Sequence, residues 1–318
     1  MPYPAEMPGG LPIRLIAIVG PTAVGKTALA IQLAERFGGE IIGADSRQIY
    51  RFMDIGSAKP GVAERLRVPH HLIDIVRPDE SLTLGKYKEL ATACIQDIAS
   101  RGKVPLIVGG TGLYLKTIIE GWTIPEVAPD YSLREKLLAQ AQEHGNTALY
   151  KQLQAVDPAA AGKVDPRNVR RVVRYLEVYH TTGQPISSRQ HKVAPPYRLL
   201  QIGLTMPRAR LYDRIDARVD AMMSQGLLEE VRRLVDLGYE PDLPALSGFG
   251  YRQLIRHLRG SLSLDDAVAE TKTETRRFVR RQYAWFPLGD PSILWLEAGD
   301  QALSEAGKAV AEFVAPNS

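Results

Sequence analysis

An α/β fold built on a parallel sheet is predicted by three observations. The apolar run Leu15–Val19 leads directly into the glycine-bearing turn Gly20-Pro21-Thr22-Ala23-Val24-Gly25-Lys26-Thr27, and a helical pattern (Ala28, Leu29, Ile31, Leu33, Ala34) follows it. Strand and helix signals then alternate through about residue 117, the pattern of parallel strands covered by helices. From about 118 to 205 strand signals give way to helix signals, which predicts a helical insertion within the α/β core.

The elements follow in order. Strands are expected at Ile13–Val19, Glu40–Ile42, His71–Ile75 and Val104–Val108, with helices after the first turn and over roughly Leu84–Ser100. In the insertion, Ser132-Leu133-Arg134-Glu135 has the pattern of a capping box. Asp165-Pro166 pairs an N-cap with proline at the first helical position, and Gly183 closes that helix. Leu199–Leu204 reads as a strand returning to the sheet. Helices are expected near Arg208–Gln225 and Leu227–Leu237, and from a cap at Ser263 to about Tyr283. The tail carries a short strand, Ile293–Leu296, and a final helix. The domain division is 1–117 with 206–318 as core, and 118–205 as insertion.

Residues 20–27 satisfy G-x-x-x-x-G-K-[ST] between a strand and a helix, so the fold is P-loop NTPase-like. Backbone N–H groups of such a loop hold phosphate oxygens, and the helix N-terminus adds partial positive charge. Lys26 is expected to reach the bridging or terminal phosphate, and Thr27 to help hold Mg²⁺. The alternative, a glycine turn that merely ends a strand, leaves the four fixed positions unexplained.

Composition narrows the class. The 318 residues include 45% hydrophobic and 24% charged residues, with 40 basic against 36 acidic, as in ordinary globular proteins with a full core. The single cysteine, Cys94, allows neither an intrachain disulfide nor a cysteine-based zinc site within one chain, which fits a reducing cytoplasm. No apolar run approaches the ~18 residues that span a bilayer. The first twelve residues, rich in Pro and Gly, resemble an arm more than a signal peptide.

Several residues outside the loop have the character of a site. Asp45 follows the second strand, at the sheet edge where ligands bind. It suits a magnesium shell or a general base, and equally a turn or N-cap. Gly109-Gly110-Thr111-Gly112 follows the strand Val104–Val108 with no carboxylate, which argues against an ATP hydrolase. His70 and His71 are adjacent, so on an extended chain they face opposite sides and do not chelate one ion. Arg167, Arg170, Arg171 and Arg174 at helical spacing predict one basic stripe. Lys272, Arg276 and Arg280 make a second, with Arg277 and Arg281 beside it and Phe278, Tyr283, Trp285 and Phe286 interleaved. Such stripes suit a nucleic-acid backbone with aromatics stacking on unpaired bases; a solvated face paired with acids is the other reading. Arg210, Arg214 and Arg218 alternate with Asp213, Asp216 and Asp220, so a salt-bridged surface stays open there.

The chain resembles the tRNA dimethylallyltransferases, also called tRNA isopentenyltransferases. The likeness rests on Gly20–Thr27, Asp45-Ser46-Arg47-Gln48-Ile49-Tyr50, Met53–Pro60, His70–Asp74, Gly109–Tyr114, Gly250-Tyr251-Arg252-Gln253, Arg276-Arg277, Arg281-Gln282 and Trp285-Phe286, in order over most of residues 13–287. It implies transfer of a dimethylallyl group from dimethylallyl diphosphate to N6 of the adenine 3′ to the anticodon. On this resemblance the loop Gly20, Pro21, Thr22, Ala23, Val24, Gly25, Lys26 and Thr27 holds the donor diphosphate, with Mg²⁺ on Thr27. Asp45 is the base, and Thr111 orients Asp45 or the adenine amino group. Lys26 and one of Arg214 or Arg218 neutralise the leaving diphosphate. The anticodon stem-loop is met by Asp45, Ser46, Arg47, Gln48, Thr111, Arg134, Arg167, Asn168, Val169, Arg170, Arg171, Gly248, Phe249, Gly250, Tyr251, Arg252, Gln253, Arg280, Arg281, Gln282 and Trp285. A cytoplasmic monomer without membrane contact is expected.

Two departures stand out. Val24 replaces a small polar residue and removes a hydroxyl contact to phosphate; Pro287 replaces a basic residue after Trp285-Phe286. No cysteine–histidine zinc finger follows. The rival readings are a P-loop small-molecule or nucleotide kinase, an isopentenyltransferase using free adenine nucleotides, and a non-catalytic RNA-binding protein. A kinase brings an arginine-bearing lid and a magnesium-organising carboxylate, which find no place here. A free nucleotide does not need the basic insertion, and a binding protein leaves the loop and Asp45 without a task.

Overall fold

A computed structural model describes residues 12–125 and 127–315; the arm over residues 1–11 lies outside them. The chain forms two units, one running to Ile119 and resuming at Pro196, the other Glu120–Pro195.

The first unit is built on six parallel strands: β1 (Ile13–Val19), β2 (Gly39–Ala44), β3 (His70–His71), β4 (Val104–Gly109), β5 (Tyr197–Thr205) and β6 (Ile293–Glu297). Their order in the sheet is β3-β2-β4-β1-β5-β6. Burial on both faces explains the unbroken apolar run Leu15–Val19 within β1. Ile16 and Ile18 pack in one core cluster, Leu15, Ala17 and Val19 in the other. Helices α1 (Lys26–Phe37), α2 (Val62–Arg67), α3 (Leu84–Ser100) and α4 (Gly112–Ile119) precede the second unit. That unit holds α5 (Tyr131–His144), α6 (Asn146–Val156), α7 (Pro158–Ala161), α8 (Val169–Thr182) and α9 (Ile186–Arg189) around its own core. The first unit resumes with β5, then α10 (Arg208–Ser224), α11 (Leu227–Asp236), α12 (Tyr251–Leu258), α13 (Leu264–Trp285), β6 and α14 (Asp300–Val314).

The core resumes ten residues earlier than the expected 206, because β5 pairs along β1 from Ile13 with Tyr197 to Val19 with Gly203. The expected strand His71–Ile75 shrinks to His70–His71, since Leu72 (φ 61°) and Asp74 (φ 57°) adopt left-handed backbone that breaks an extended run. Two helix starts also differ. Asp130, not Ser132, caps α5 by accepting the Leu133 N–H. Asn168, not Asp165, caps α8 by accepting the Arg171 N–H, while Asp165 organises the preceding turn through the Arg167 N–H. Gly183 closes α8 in left-handed conformation at φ 68°.

Candidate active site

The carboxyl ends of three neighbouring strands converge: β1 delivers residues 20–27, β2 delivers Asp45, and β4 delivers Gly109–Thr111. They border a cavity of about 580 Å³. Its polar lining includes Thr22, Lys26, Thr27, Asp45, Thr111 and the pair Arg214 and Arg218 from α10. Its apolar lining includes Ile215, Val219, Met222, Leu227, Phe249 and Phe278. The Phe249 and Phe278 rings lie 5.3 Å apart. This is a concave site with a charged portion and an apolar portion.

The loop has the strained geometry of an anion cradle. Gly20 sits at φ 136° with a virtual Cβ 2.4 Å from the Leu204 carbonyl oxygen, so no side chain fits. Ala23 (φ 64°) and Gly25 (φ 108°) are also left-handed. Lys26 Nζ donates to the Pro21 carbonyl at 2.6 Å. Burial pulls the Lys26 pKa down from 10.5 to about 7; Asp45 acts in the opposite direction and Arg218 adds to the fall. Burial likewise lowers Arg218, again against Asp45 and with help from Arg214. Lys26 and Arg218 thus share one carboxylate, with Arg214 beside Arg218, an excess of positive charge that favours an anionic ligand. Val24 is buried in the core under the loop, so its place belongs to packing.

The glycines of Gly109-Gly110-Thr111-Gly112 are each required by close approach. A Cβ at Gly109 would lie 2.0 Å from the Ala44 carbonyl oxygen, at Gly110 2.5 Å from Gln282 Nε2, and at Gly112 2.1 Å from Trp285 Cγ. Thr111 Oγ1 accepts the Ser46 N–H at 2.9 Å. It therefore braces the residue beside Asp45. Asp45 Oδ1 accepts the Arg47 N–H at 2.8 Å, closing a turn while the carboxylate lines the cavity.

Other expected nucleic-acid contacts are engaged within the protein. The Arg47 guanidinium donates to the carbonyls of Pro244 and Ala245, and Gln48 Nε2 to those of Ser57 and Ala58. Gln253 is fully buried, with Oε1 accepting the Gly250 N–H, and Tyr251 donates its hydroxyl to Glu230. These bonds make Gln253 part of the scaffold, while Tyr251 also lines the cavity. Gly248, Phe249 and Gly250 line the cavity, whereas Arg252 is exposed outside its lining. On α13, Gln282 and Arg281 line the cavity, Arg280 is exposed, and Trp285 lies against Gly112.

The basic stripes resolve unequally. Lys272 pairs with Asp220 and Arg276 with Asp216, both on α10, so the acids interleaved with Arg214 and Arg218 are used across to α13. Arg277 pairs with Glu274. In the second unit, Arg167 precedes α8 and pairs with Asp165, so it leaves the expected single helical stripe. Arg174 and Arg134 both bind Glu177, whose side chain is fully buried. Arg170 and Arg171 are exposed, the latter donating to the Tyr175 hydroxyl. Val169 opens α8, one residue after the capping Asn168.

The residue the sequence did not single out is Glu230. Its carboxylate accepts N–H groups of Asp54, Ile55 and Gly56 as well as the Tyr251 hydroxyl, clamping the loop that lines the cavity with Gly56–Ala58. Its only signal in the text is a place in the first turn of a helix. Among the described residues no cluster of three His, Cys, Asp or Glu suits a metal, and no helix is long and apolar enough to cross a membrane.

Fold and site together define a P-loop α/β protein whose glycine-bearing loop and a carboxylate line one cavity. Family models then place it further: that for IPP transferase matches residues 48–288 and that for isopentenyl transferase residues 13–74. A tRNA dimethylallyltransferase of Roseiflexus sp. is 54% identical over 92% of this chain and 96% of its own length, and one of Thermomicrobium roseum 49% identical over 85% and 82%. The solved structure of a full-length tRNA isopentenylpyrophosphate transferase from Bacillus halodurans superposes with a TM-score of 0.71 at 40% identity, covering 95% of this chain and 96% of that one. A eukaryotic dimethylallyltransferase acting on tRNA gives 0.76 at 29% identity, over 94% and 77%. The chain belongs to the IPP transferase family.

Proposed function

We propose that this protein transfers a dimethylallyl group from dimethylallyl diphosphate to N6 of the adenine 3′ to the anticodon in tRNA. The observation that carries the reading is the cavity in which Lys26, Arg214 and Arg218 surround Asp45 beside an apolar wall. A diphosphate fits the cations, and a five-carbon prenyl group fits the wall of Ile215, Val219, Met222, Phe249 and Phe278. The bond from allylic carbon to diphosphate oxygen breaks as the bond from that carbon to N6 forms. Asp45 takes the proton that N6 loses, and the electron pair leaves with the diphosphate, whose charge Lys26 and Arg218 offset. The adenine must leave its stack to reach a site at the sheet edge.

Thr27 at the start of α1 lines the same cavity as Asp45, so hard oxygen donors are in place for Mg²⁺. With no acidic cluster among the described residues, the ion would take most of its ligands from diphosphate and water. Such an ion offsets charge on the leaving diphosphate. The helical unit Glu120–Pro195, with Arg170 and Arg171 exposed, is the proposed second contact for tRNA. A monomer working in a reducing cytoplasm, consistent with the lone Cys94, completes the proposal.

The test is incubation with labelled dimethylallyl diphosphate, Mg²⁺ and unmodified tRNA, followed by nuclease digestion and mass spectrometry. Label on one adenosine next to the anticodon is the expected result. Label absent from tRNA, or phosphate transferred from ATP to a small acceptor, would overturn it in favour of the kinase reading.

A further inference from the structure

We infer that Gln282 is a positioning residue that holds the diphosphate loop and the Gly109–Gly112 loop at one fixed spacing, and so sets the distance from the leaving group to Asp45. The inference rests on the prenyl-transfer reading for its catalytic consequence. Its geometric basis is independent of that reading.

The Gln282 side-chain amide is used at both ends. Oε1 accepts the Thr22 N–H at 2.8 Å, and Nε2 donates to the Gly110 carbonyl at 2.9 Å. The residue is 5% exposed, so water competes little for either bond. Gly110 is shaped to receive it, since a Cβ there would lie 2.5 Å from Nε2. One side chain thus joins the two loops.

The link continues to the base. Gly110 precedes Thr111, whose hydroxyl accepts the Ser46 N–H, and Ser46 follows Asp45. Thr111 also donates its N–H to the Ala44 carbonyl. A path of short bonds therefore runs from Thr22 through Gln282, Gly110, Thr111 and Ser46 to Asp45. One helical turn of α13 braces both ends, because Trp285 seats on Gly112 while Gln282 reaches Gly110. With its N–H committed to Gln282, Thr22 serves the cradle as a fixed peptide.

Only a carboxamide of this length makes both bonds. Glutamate keeps an acceptor for Thr22 but has no donor for Gly110 when ionised. Asparagine is one methylene short, and methionine fills the space with neither bond. A direct tRNA contact, the role implied by the resemblance, would instead show as lost RNA affinity.

The experiment compares the full chain as wild type, Gln282→Met, Gln282→Glu and Gly110→Ala. Four quantities are read: amide hydrogen exchange at Thr22, affinity for inorganic pyrophosphate with Mg²⁺, affinity for unmodified tRNA, and the single-turnover transfer rate with both substrates saturating. In Gln282→Met, exchange at Thr22 should rise at least about tenfold. The transfer rate should fall by about 10- to 100-fold, the scale of an ångström-sized misplacement, while tRNA affinity stays within about twofold. Gly110→Ala leaves Gln282 in place but displaces its amide, and should reproduce the rate loss. That variant also decides the matter should Gln282→Met fail to fold. Unchanged exchange at Thr22, an unchanged transfer rate in the variants, or tRNA affinity falling in step with rate overturns the inference. If wild type transfers no prenyl group, the proposed function fails; the Thr22 exchange and pyrophosphate affinities still decide whether Gln282 holds the loop.

Discussion

Replacing Lys26 by methionine should stabilise the ligand-free protein while removing its grip on diphosphate. Lys26 falls from 10.5 to about 7 because burial penalises its charge, with the nearby Asp45 only partly offsetting this. At about 1.36 kcal/mol per pH unit, a displacement of this size sets a ceiling of roughly 5 kcal/mol on the cost of charging the lysine in the fold. The side chain keeps partial access to the cavity, and methionine forfeits the bond to the Pro21 carbonyl, worth about 1 kcal/mol. A net gain of about 1–2 kcal/mol is the expectation, or a Tm increase of about 1–3 °C. The pH dependence carries the stronger test. The folded pKa lies below the unfolded one, so between pH 7 and 10.5 the unfolded chain binds the extra proton. Wild-type stability therefore rises with pH across that window relative to Lys26→Met. The gap between the two proteins is full below about pH 7 and closes as pH approaches 10.5. Paired thermal or urea denaturation from pH 6 to 10 reads this directly, with pyrophosphate binding measured alongside. A variant less stable than wild type at pH 7, or a gap independent of pH, refutes the reasoning.

Three further outcomes follow from the same geometry. Asp45→Ala should lower single-turnover transfer by about two to four orders of magnitude, the usual scale of general acid–base assistance, with tRNA binding retained in a filter assay; near-normal turnover removes Asp45 from the base role. Neutralising Arg167, Arg170 and Arg171 together should flatten the salt dependence of tRNA binding by about 2–3 in log–log slope, whereas an unchanged slope assigns them to solvent. Glu177→Gln should destabilise the helical unit by about 1–3 kcal/mol, because it leaves the partly exposed Arg134 and Arg174 facing a neutral partner. Although burial alone would raise the Glu177 carboxyl, bonds from Arg134 and Arg174 hold it below the usual range. Its contribution is thus present above that range and lost as pH falls through the lowered value, which hydrogen exchange on α8 between pH 3 and 6 would follow.

Local signals were readable where local chemistry decides the structure. Gly20 and Gly25 announce left-handed backbone, Lys26 and Thr27 open a helix, and the apolar run before them reads as a strand buried on both faces. The short β3 was not readable, because Leu72 and Asp74 carry no propensity for the positive φ they adopt. The arginine patterns left two readings open for a different reason. Spacing along one helix is visible in a sequence, but the carboxylate that neutralises it is not. Asp216 and Asp220 each follow an arginine, Arg214 and Arg218, by two residues in the text, yet they pair with Arg276 and Lys272 of a helix some fifty to sixty residues on. That exchange leaves Arg214 and Arg218 beside the cavity. Gln282 and Glu230 show the same limit, since their meaning lies in backbone groups of Thr22, Gly110 and Asp54–Gly56 that only the tertiary fold brings to them. The glycines of residues 109–112 were legible as a segment closing a strand without a carboxylate, though not as seats for Gln282 and Trp285.

A crystal soaked with Mg²⁺ and an unreactive thiolo analogue of dimethylallyl diphosphate tests the central claim most directly. The diphosphate is expected in the cradle of residues 20–27, touching Lys26 and Arg218, with the prenyl carbons against Phe249 and Phe278 and C1 open toward Asp45. An analogue bound elsewhere, or the prenyl chain turned away from Asp45 with its diphosphate outside the loop, contradicts it.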